Sequence, residues 1–187
     1  MMESGMPSHP LAATPLASAP LAVRSLRPER AEAVRGLVAA SEAADGAPPL
    51  SEAFLLGLAA SSGAGHLLLY AGSQLVGYAQ LTDPDDPDTA AELVVHPQHR
   101  REGIATALLS AMPSGVRIWA HGSSSAATAF VKARGLSPVR DLHILGLTLD
   151  DELPPAELPE GLVVRPFRPG TDDQAWVAVN AAAFASH

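Results

Sequence analysis

Val94-Val95-His96-Pro97-Gln98-His99-Arg100-Arg101-Glu102-Gly103-Ile104-Ala105-Thr106 is the stretch on which the reading of this chain turns. It predicts an apolar strand, a turn broken by Pro97, and a helix entered through a basic loop that contains glycine. The first N–H groups of a helix have no partner inside it. Together with the helix dipole they favour negative charge, so such a helix start suits a pyrophosphate. Gly103 and Ala105 are small enough for phosphate oxygens to approach the backbone. No Gly-Lys-Ser/Thr follows, which excludes a Walker loop, and Gly-x-Gly-x-x-Gly is absent, which excludes a dinucleotide fingerprint.

Outward from this loop the chain alternates strand and helix signals. Leu21-Ala22-Val23-Arg24-Ser25-Leu26 predicts a strand. A helix follows from residue 28 to about 43, with Pro28 in its first turn and Ala33, Val34, Leu37 and Val38 on one face; Asp45-Gly46-Ala47-Pro48-Pro49 ends it. Ser51-Glu52 caps a second helix carrying Phe54, Leu55 and Leu58. Strands are expected over 66–71 and 74–81, joined by Ala71-Gly72-Ser73. The acidic run Asp83-Pro84-Asp85-Asp86-Pro87-Asp88 lacks the glycine of a calcium loop and reads as solvated. Then come a strand over 90–95, a helix from 102 to about 112, a strand over 116–121, a helix over 123–134 closed by Gly135, and the last strands over 139–149.

Composition narrows the function. The 187 residues suffice for one full domain and part of another. A net charge of −8 argues against non-specific nucleic-acid binding. The chain has no cysteine, hence no disulfide, thiolate metal site or cysteine nucleophile. No apolar run approaches the roughly 20 residues of a membrane span. Residues 1–20 lack the pattern of a signal peptide and are expected to be a disordered leader, so a cytoplasmic protein is expected. His96 and His99 flank a proline turn, which is poor metal geometry, and no metal is expected.

The chain also repeats itself. After an expected linker over 150–160, Leu162-Val163-Val164-Arg165-Pro166-Phe167-Arg168-Pro169 matches Leu21-Ala22-Val23-Arg24-Ser25-Leu26-Arg27-Pro28 at an offset of 141 residues. Another helix, over 172–184, follows as it did the first time. One domain length separates the two starts, so residues 161–187 are expected to open a second copy of the domain at 21–149.

Arg-x-x-Gly-x-Ala after Val-x-Pro resembles the acetyl-CoA loop of the GCN5-related N-acetyltransferases, and the order β-α-α-β-β-β-α-β-α-β-β matches their fold. That implies an α/β (α+β) protein with a mixed central sheet flanked by helices. The tandem start, with Ala91-Glu92-Leu93-Val94-Val95-His96-Pro97, Trp119-Ala120-His121-Gly122 and the final Val179-Asn180-Ala181-Ala182-Ala183-Phe184-Ala185-Ser186-His187, resembles the mycothiol synthase family. Those enzymes acetylate the cysteinyl amine of cysteinyl-glucosaminyl-inositol from acetyl-CoA. The resemblance implies acetyl-CoA contacts at Leu93, Val94 and Val95 and at Arg101, Glu102, Gly103, Ile104, Ala105 and Thr106, and an acceptor contact at Glu52. It also implies a partner in a second acetyltransferase domain that performs the chemistry.

Acetyl transfer to an amine needs a held cofactor, a polarised carbonyl, a deprotonated ammonium and an outlet for the thiolate. Glu92 is the candidate base, through water; the alternative is a salt-bridged glutamate. Glu52 is either the acceptor contact or a helix N-terminal acid. Arg100 and Arg101 are expected to meet phosphate, or else to be solvated. The tyrosine that serves the superfamily as acid, four residues before the helix-closing glycine, is Val131 here. Two rivals therefore stand beside the enzyme: a non-catalytic acetyl-CoA-binding module, favoured by Val131, and a transferase acting on a peptide or another small amine.

Overall fold

In the computed structural model, residues 19–59, 62–122, 124–146, 148 and 158–185 are described. All but the end of the expected leader lies outside them. Five strands form one sheet in the order β1 (Leu21–Val23), β2 (Gly65–Ala71), β3 (Gln74–Leu81), β4 (Ala90–Val95) and β5 (Arg117–Trp119). The first three pairings are antiparallel and β4–β5 is parallel. The parallel pair needs a crossover. It is supplied by the loop after β4 and the helix α3 (Ile104–Ser110), numbered after α1 (Pro28–Asp45) and α2 (Glu52–Leu56). Helix α4 (Ser125–Ala133) follows β5.

Strand alternation divides the core in two. Leu68, Tyr78 and Val94 face α1 and α2, and pack with Val34, Leu37, Leu50 and Phe54. Leu67, Leu69, Ala79 and Ala91 face the other way and pack with Ile104 and Leu108 of α3. The fold is the mixed α/β sheet with flanking helices that the sequence leads one to expect. Gly77 explains how closely α3 approaches: a β-carbon there would collide with Ile104 Cγ2 and crowd Leu108 Cδ1 at 3.3 Å.

The α1/α2 face also carries polar residues. Val23, His66, Gln80, Glu92 and Trp119 are successive cross-strand partners, so His66, Gln80 and Glu92 share one row. All three are buried. Tyr78 Oη donates to Gln80 Oε1 at 2.8 Å and lies 2.8 Å from His66 Nδ1. The hydroxyl proton is thus used on Gln80, which assigns the imidazole proton to Nδ1 and leaves Nε2 a buried acceptor; Nε2 has no partner among the described residues. Burial pushes the His66 imidazole below its ordinary range and the Tyr78 phenol above its own.

Two expectations need correction. The last strands, expected over 139–149, are absent from the described part of that segment: residues 139–146 and 148 are irregular, with Val139 81 % and Ile144 fully exposed. Nor is the repeat of the β1 sequence, Leu162-Val163-Val164-Arg165, a strand. The cause is shared. A strand must satisfy its N–H and C=O groups on a neighbour, and apolar alternation alone supplies none. The chain divides into two compact units at Val139/Arg140. In the second unit, α5 (Asp173–Ala183) forms as expected. It is preceded by a bidentate Arg165–Asp172 pair at 2.6 and 2.8 Å, and it exposes Trp176, Val177 and Val179.

Gly77→Ala is expected to destabilise the protein by about 1–3 kcal/mol through overpacking, read from a urea melt. His66 gives a pH prediction. Its folded value is depressed, so the unfolded imidazole takes up a proton near pH 6.5 where the folded one does not. Its contribution to stability is therefore full above that pH and declines below it. His66→Gln should flatten the fall in stability between about pH 7 and about pH 5 relative to the parent, measured by melts across that range.

Candidate functional site

The site begins where two parallel strands part. The β4–β5 register runs from Ala90↔Arg117 to Glu92↔Trp119 and stops, while β4 continues to Val95 against β3, through Gly77↔Val95. Direction follows from alternation. Thr82 N–H donates to Ala90 C=O and His96 N–H to Val76 C=O, so even-numbered residues of β4 turn their backbone groups toward β3. Arg117 N–H donates to Thr89 C=O, so odd-numbered residues turn theirs toward β5. Past the last rung, Val95 therefore directs its N–H and C=O into an opening, as Leu93 does its C=O. Val94 instead turns its backbone to β3 and buries its side chain in the α1/α2 core. The three residues singled out on β4 thus divide: Leu93 and Val95 offer main chain, and Val94 is core.

The chain leaves this open end straight into the loop. His96 Nδ1 accepts from Gln98 N–H at 3.3 Å, starting a 3₁₀ turn over Pro97–His99. Arg101 has φ 70°, the one non-glycine residue with positive φ among the described residues, and Gly103 has φ 86°. These two left-handed residues aim the chain into α3. Gly103 is the N-cap and brings no side-chain acceptor, and the first helical bond runs from Ala107 N–H to Gly103 C=O at 2.9 Å. The N–H groups of Ile104, Ala105 and Thr106 lie ahead of that bond. Ile104 is buried under the sheet, Ala105 and Thr106 are partly exposed, and Arg101, Glu102 and Gly103 are exposed.

The two arginines have different lives. Arg100 grips Asp45 at the end of α1 with two bonds of 2.7 and 2.6 Å, and donates to Ser41 Oγ at 3.2 Å. Those bonds hold the Asp45 carboxyl below the usual carboxylate range. Arg100 is thus an anchor that fixes the loop to α1, while Arg101 stays exposed. Glu102 Oε2 lies 3.1 Å from His99 Nδ1, so its side chain braces the loop.

Glu92 is 2 % exposed and both its oxygens are used. Oε2 accepts from Ser51 N–H at 2.7 Å, and Oε1 lies 2.8 Å from His121 Nε2. Ser51 caps α2 by accepting from Phe54 N–H at 3.5 Å, and Glu52 stands beside it, exposed. The structure therefore brings Glu52, Glu92 and the strand opening into one neighbourhood. It adds two residues to which the sequence assigns no part in the site: Ser51, expected there only as a helix cap, and His121. His121 had a signal: it lies two residues beyond Trp119, the register partner of Glu92. On α4, Val131 is partly buried, and Gly135 with φ 67° closes the helix as expected.

An opening between parallel strands, beside an uncapped helix start, defines the class of the domain. Residues 62–135 match the acetyltransferase (GNAT) domain family. The fold is that of the GNAT acetyltransferases. A GCN5-related N-acetyltransferase from Sphaerobacter thermophilus superposes with a TM-score of 0.61 at 27 % identity, over 89 % of this chain and 58 % of that one. More particularly, the chain is similar to the mycothiol acetyltransferases. It is 47 % identical to that of Streptomyces avermitilis over 171 residues, covering 87 % of this chain and 56 % of the relative. With that of Streptomyces coelicolor the identity is 49 % over 172 residues, covering 87 % and 55 %. The chain spans about half the length of the curated relatives it matches.

The contrast between the arginines is testable by stability alone. Arg100→Ala should cost about 1 kcal/mol, since the pair with Asp45 is bidentate but partly exposed. Arg101→Gly should be neutral or stabilising by up to about 1 kcal/mol, because glycine takes positive φ without strain. Thermal melts of the two variants check both signs.

Proposed function

We propose that this domain binds acetyl-CoA and belongs to an acetyl-CoA-dependent N-acetyltransferase of the mycothiol acetyltransferase kind, whose acceptor is the cysteinyl amine of cysteinyl-glucosaminyl-inositol. The observation that carries this is the run of β4 past the end of β5, leading directly into a loop with uncapped helix-start amides. The residues fit the cofactor. An extended pantetheine arm needs strand-edge partners, which Leu93 and Val95 offer. A pyrophosphate needs several N–H donors and close approach, which Gly103, Ile104, Ala105 and Thr106 offer, with Glu102 contributing backbone and Arg101 charge. Glu52, exposed at the start of α2 beside Ser51, is the acceptor contact in this reading. Residues 161–185 form the opening of a second copy of the domain, supported by the repeat of residues 21–28 and by the exposed apolar face of α5. The protein acts in the cytoplasm; among the described residues no helix is long and apolar enough to cross a membrane.

A second reading has its own support. Val131 carries no proton for a departing thiolate, which favours a domain that holds acetyl-CoA and turns it over slowly, the faster chemistry lying in the second copy.

Titration calorimetry with acetyl-CoA is the test. The wild-type chain should bind, and Arg101→Glu should weaken affinity at least tenfold, about 1.4 kcal/mol. Equal affinities would remove Arg101 from the site. Absence of binding by the wild type would remove the cofactor assignment altogether.

A further inference from the structure

Asp45 closes α1, and by local rules it is in the wrong place. A carboxylate at a helix C-terminus meets the negative end of the dipole, and no basic residue stands in the last turn of α1 to offset it. Its compensation is distant. Arg100 Nη1 and Nη2 donate to its two oxygens at 2.7 and 2.6 Å, and Nη2 also donates to Ser41 Oγ at 3.2 Å. Ser41, buried on the same helix, donates in turn to Asp45 Oδ2 at 3.2 Å. Helix α1 is itself locked into the core by Val34, Leu37 and Val38. The Arg100 fork is thus fastened to a rigid element, and the residue that follows it, Arg101, has φ 70°. Such a backbone is strained for a residue with a side chain, and it persists only where its surroundings impose it. Arg101 is exposed, so packing of its own side chain does not impose it. The constraints stand on either side: Arg100 on α1, and Ile104, 1 % exposed, under the sheet. Arg101, Glu102 and Gly103 are strung between these two anchors.

We infer that Asp45, acting through Arg100, is a positioning residue for acetyl-CoA: the pair holds residues 101–103 in the shape that receives the pyrophosphate before the cofactor arrives. Arg100 itself leaves the phosphates to Arg101 and the main chain. The inference rests on the acetyl-CoA reading of this loop. A loop already in its bound shape gives up less conformational freedom on binding, so preorganisation appears as affinity. With the pair broken, Arg101 is free to leave the left-handed region, and binding must force it back. Two other roles for these residues predict the opposite sign. If Asp45 acted only through its charge, it would repel a polyanionic cofactor, and neutralising it would tighten binding. If Arg100 were a phosphate contact held in reserve on Asp45, releasing it would also tighten binding. Weaker binding on removal of a negative charge is therefore the mark of positioning.

The experiment is acetyl-CoA titration calorimetry on the 187-residue chain and its variants, with thermal melts on the same samples to establish that each is folded. Wild type should bind. Asp45→Asn keeps the size of the side chain and should weaken affinity about tenfold, roughly 1.4 kcal/mol. Arg100→Lys keeps the charge but not the fork, and should weaken it about threefold. Exchanging the pair, Asp45→Arg with Arg100→Asp, leaves the net charge unchanged. The exchange should recover the affinity lost in Arg100→Asp alone, to within about threefold of wild type. A phosphate contact could not be recovered that way, because the loop would then present a carboxylate. If Asp45→Asn binds as tightly as wild type or more tightly, or if the exchange binds no better than Arg100→Asp alone, the inference is overturned and the acetyl-CoA reading stands. If Asp45→Asn is unfolded, Arg100→Lys decides in its place, and unchanged affinity there overturns the inference. If the folded wild type does not bind acetyl-CoA, both fall.

Discussion

The ladder between β4 and β5 ends at Glu92 and Trp119, and beyond it a side chain replaces the missing rungs. One carboxylate accepts from the amide that starts α2 and from the imidazole just past β5. Main-chain pairing of parallel strands would close the opening; side-chain bonding from below holds its walls without filling it. The backbone groups of Val95 stay available, and the elements on either side are still fixed. A buried carboxylate would be costly without these partners. The placement of α2, of the residues after β5 and of the opening thus follows from satisfying Glu92.

The elements legible in the sequence were those whose evidence is local. Helix α1 was read from the period of Ala33, Val34, Leu37 and Val38 and from Pro28 and Gly46, and it spans Pro28–Asp45. The hairpin of β2 and β3 was read from alternation and Gly72, which has φ 60°. The loop after β4 was read from its glycine and its proline. What escaped was long-range. Arg100 finds Asp45 at a separation of 55 residues, and Glu92 finds His121 at 29. Such pairs depend on which strands become neighbours, and no period encodes that. The described residues of 139–149 form no strand for the converse reason: their apolar alternation is local, but a strand is a property of two segments.

The two faces of the sheet divide the labour. On the α3 side the packing is apolar, and Gly77 lets the helix sink until its first turn lies level with the end of β4. On the α1/α2 side a buried row of His66, Gln80 and Glu92 crosses the sheet, which is an expensive use of a core. Tyr78 bonds to two of its members, leaving His66 Nε2 without a partner among the described residues, and Ser51 with His121 satisfies the third. The half of the row that stays sealed is fixed in tautomer and protonation by burial. The other half ends in the partly buried imidazole of His121. Polar groups sealed inside the core and a polar pair that reaches its edge are thus built into the same register.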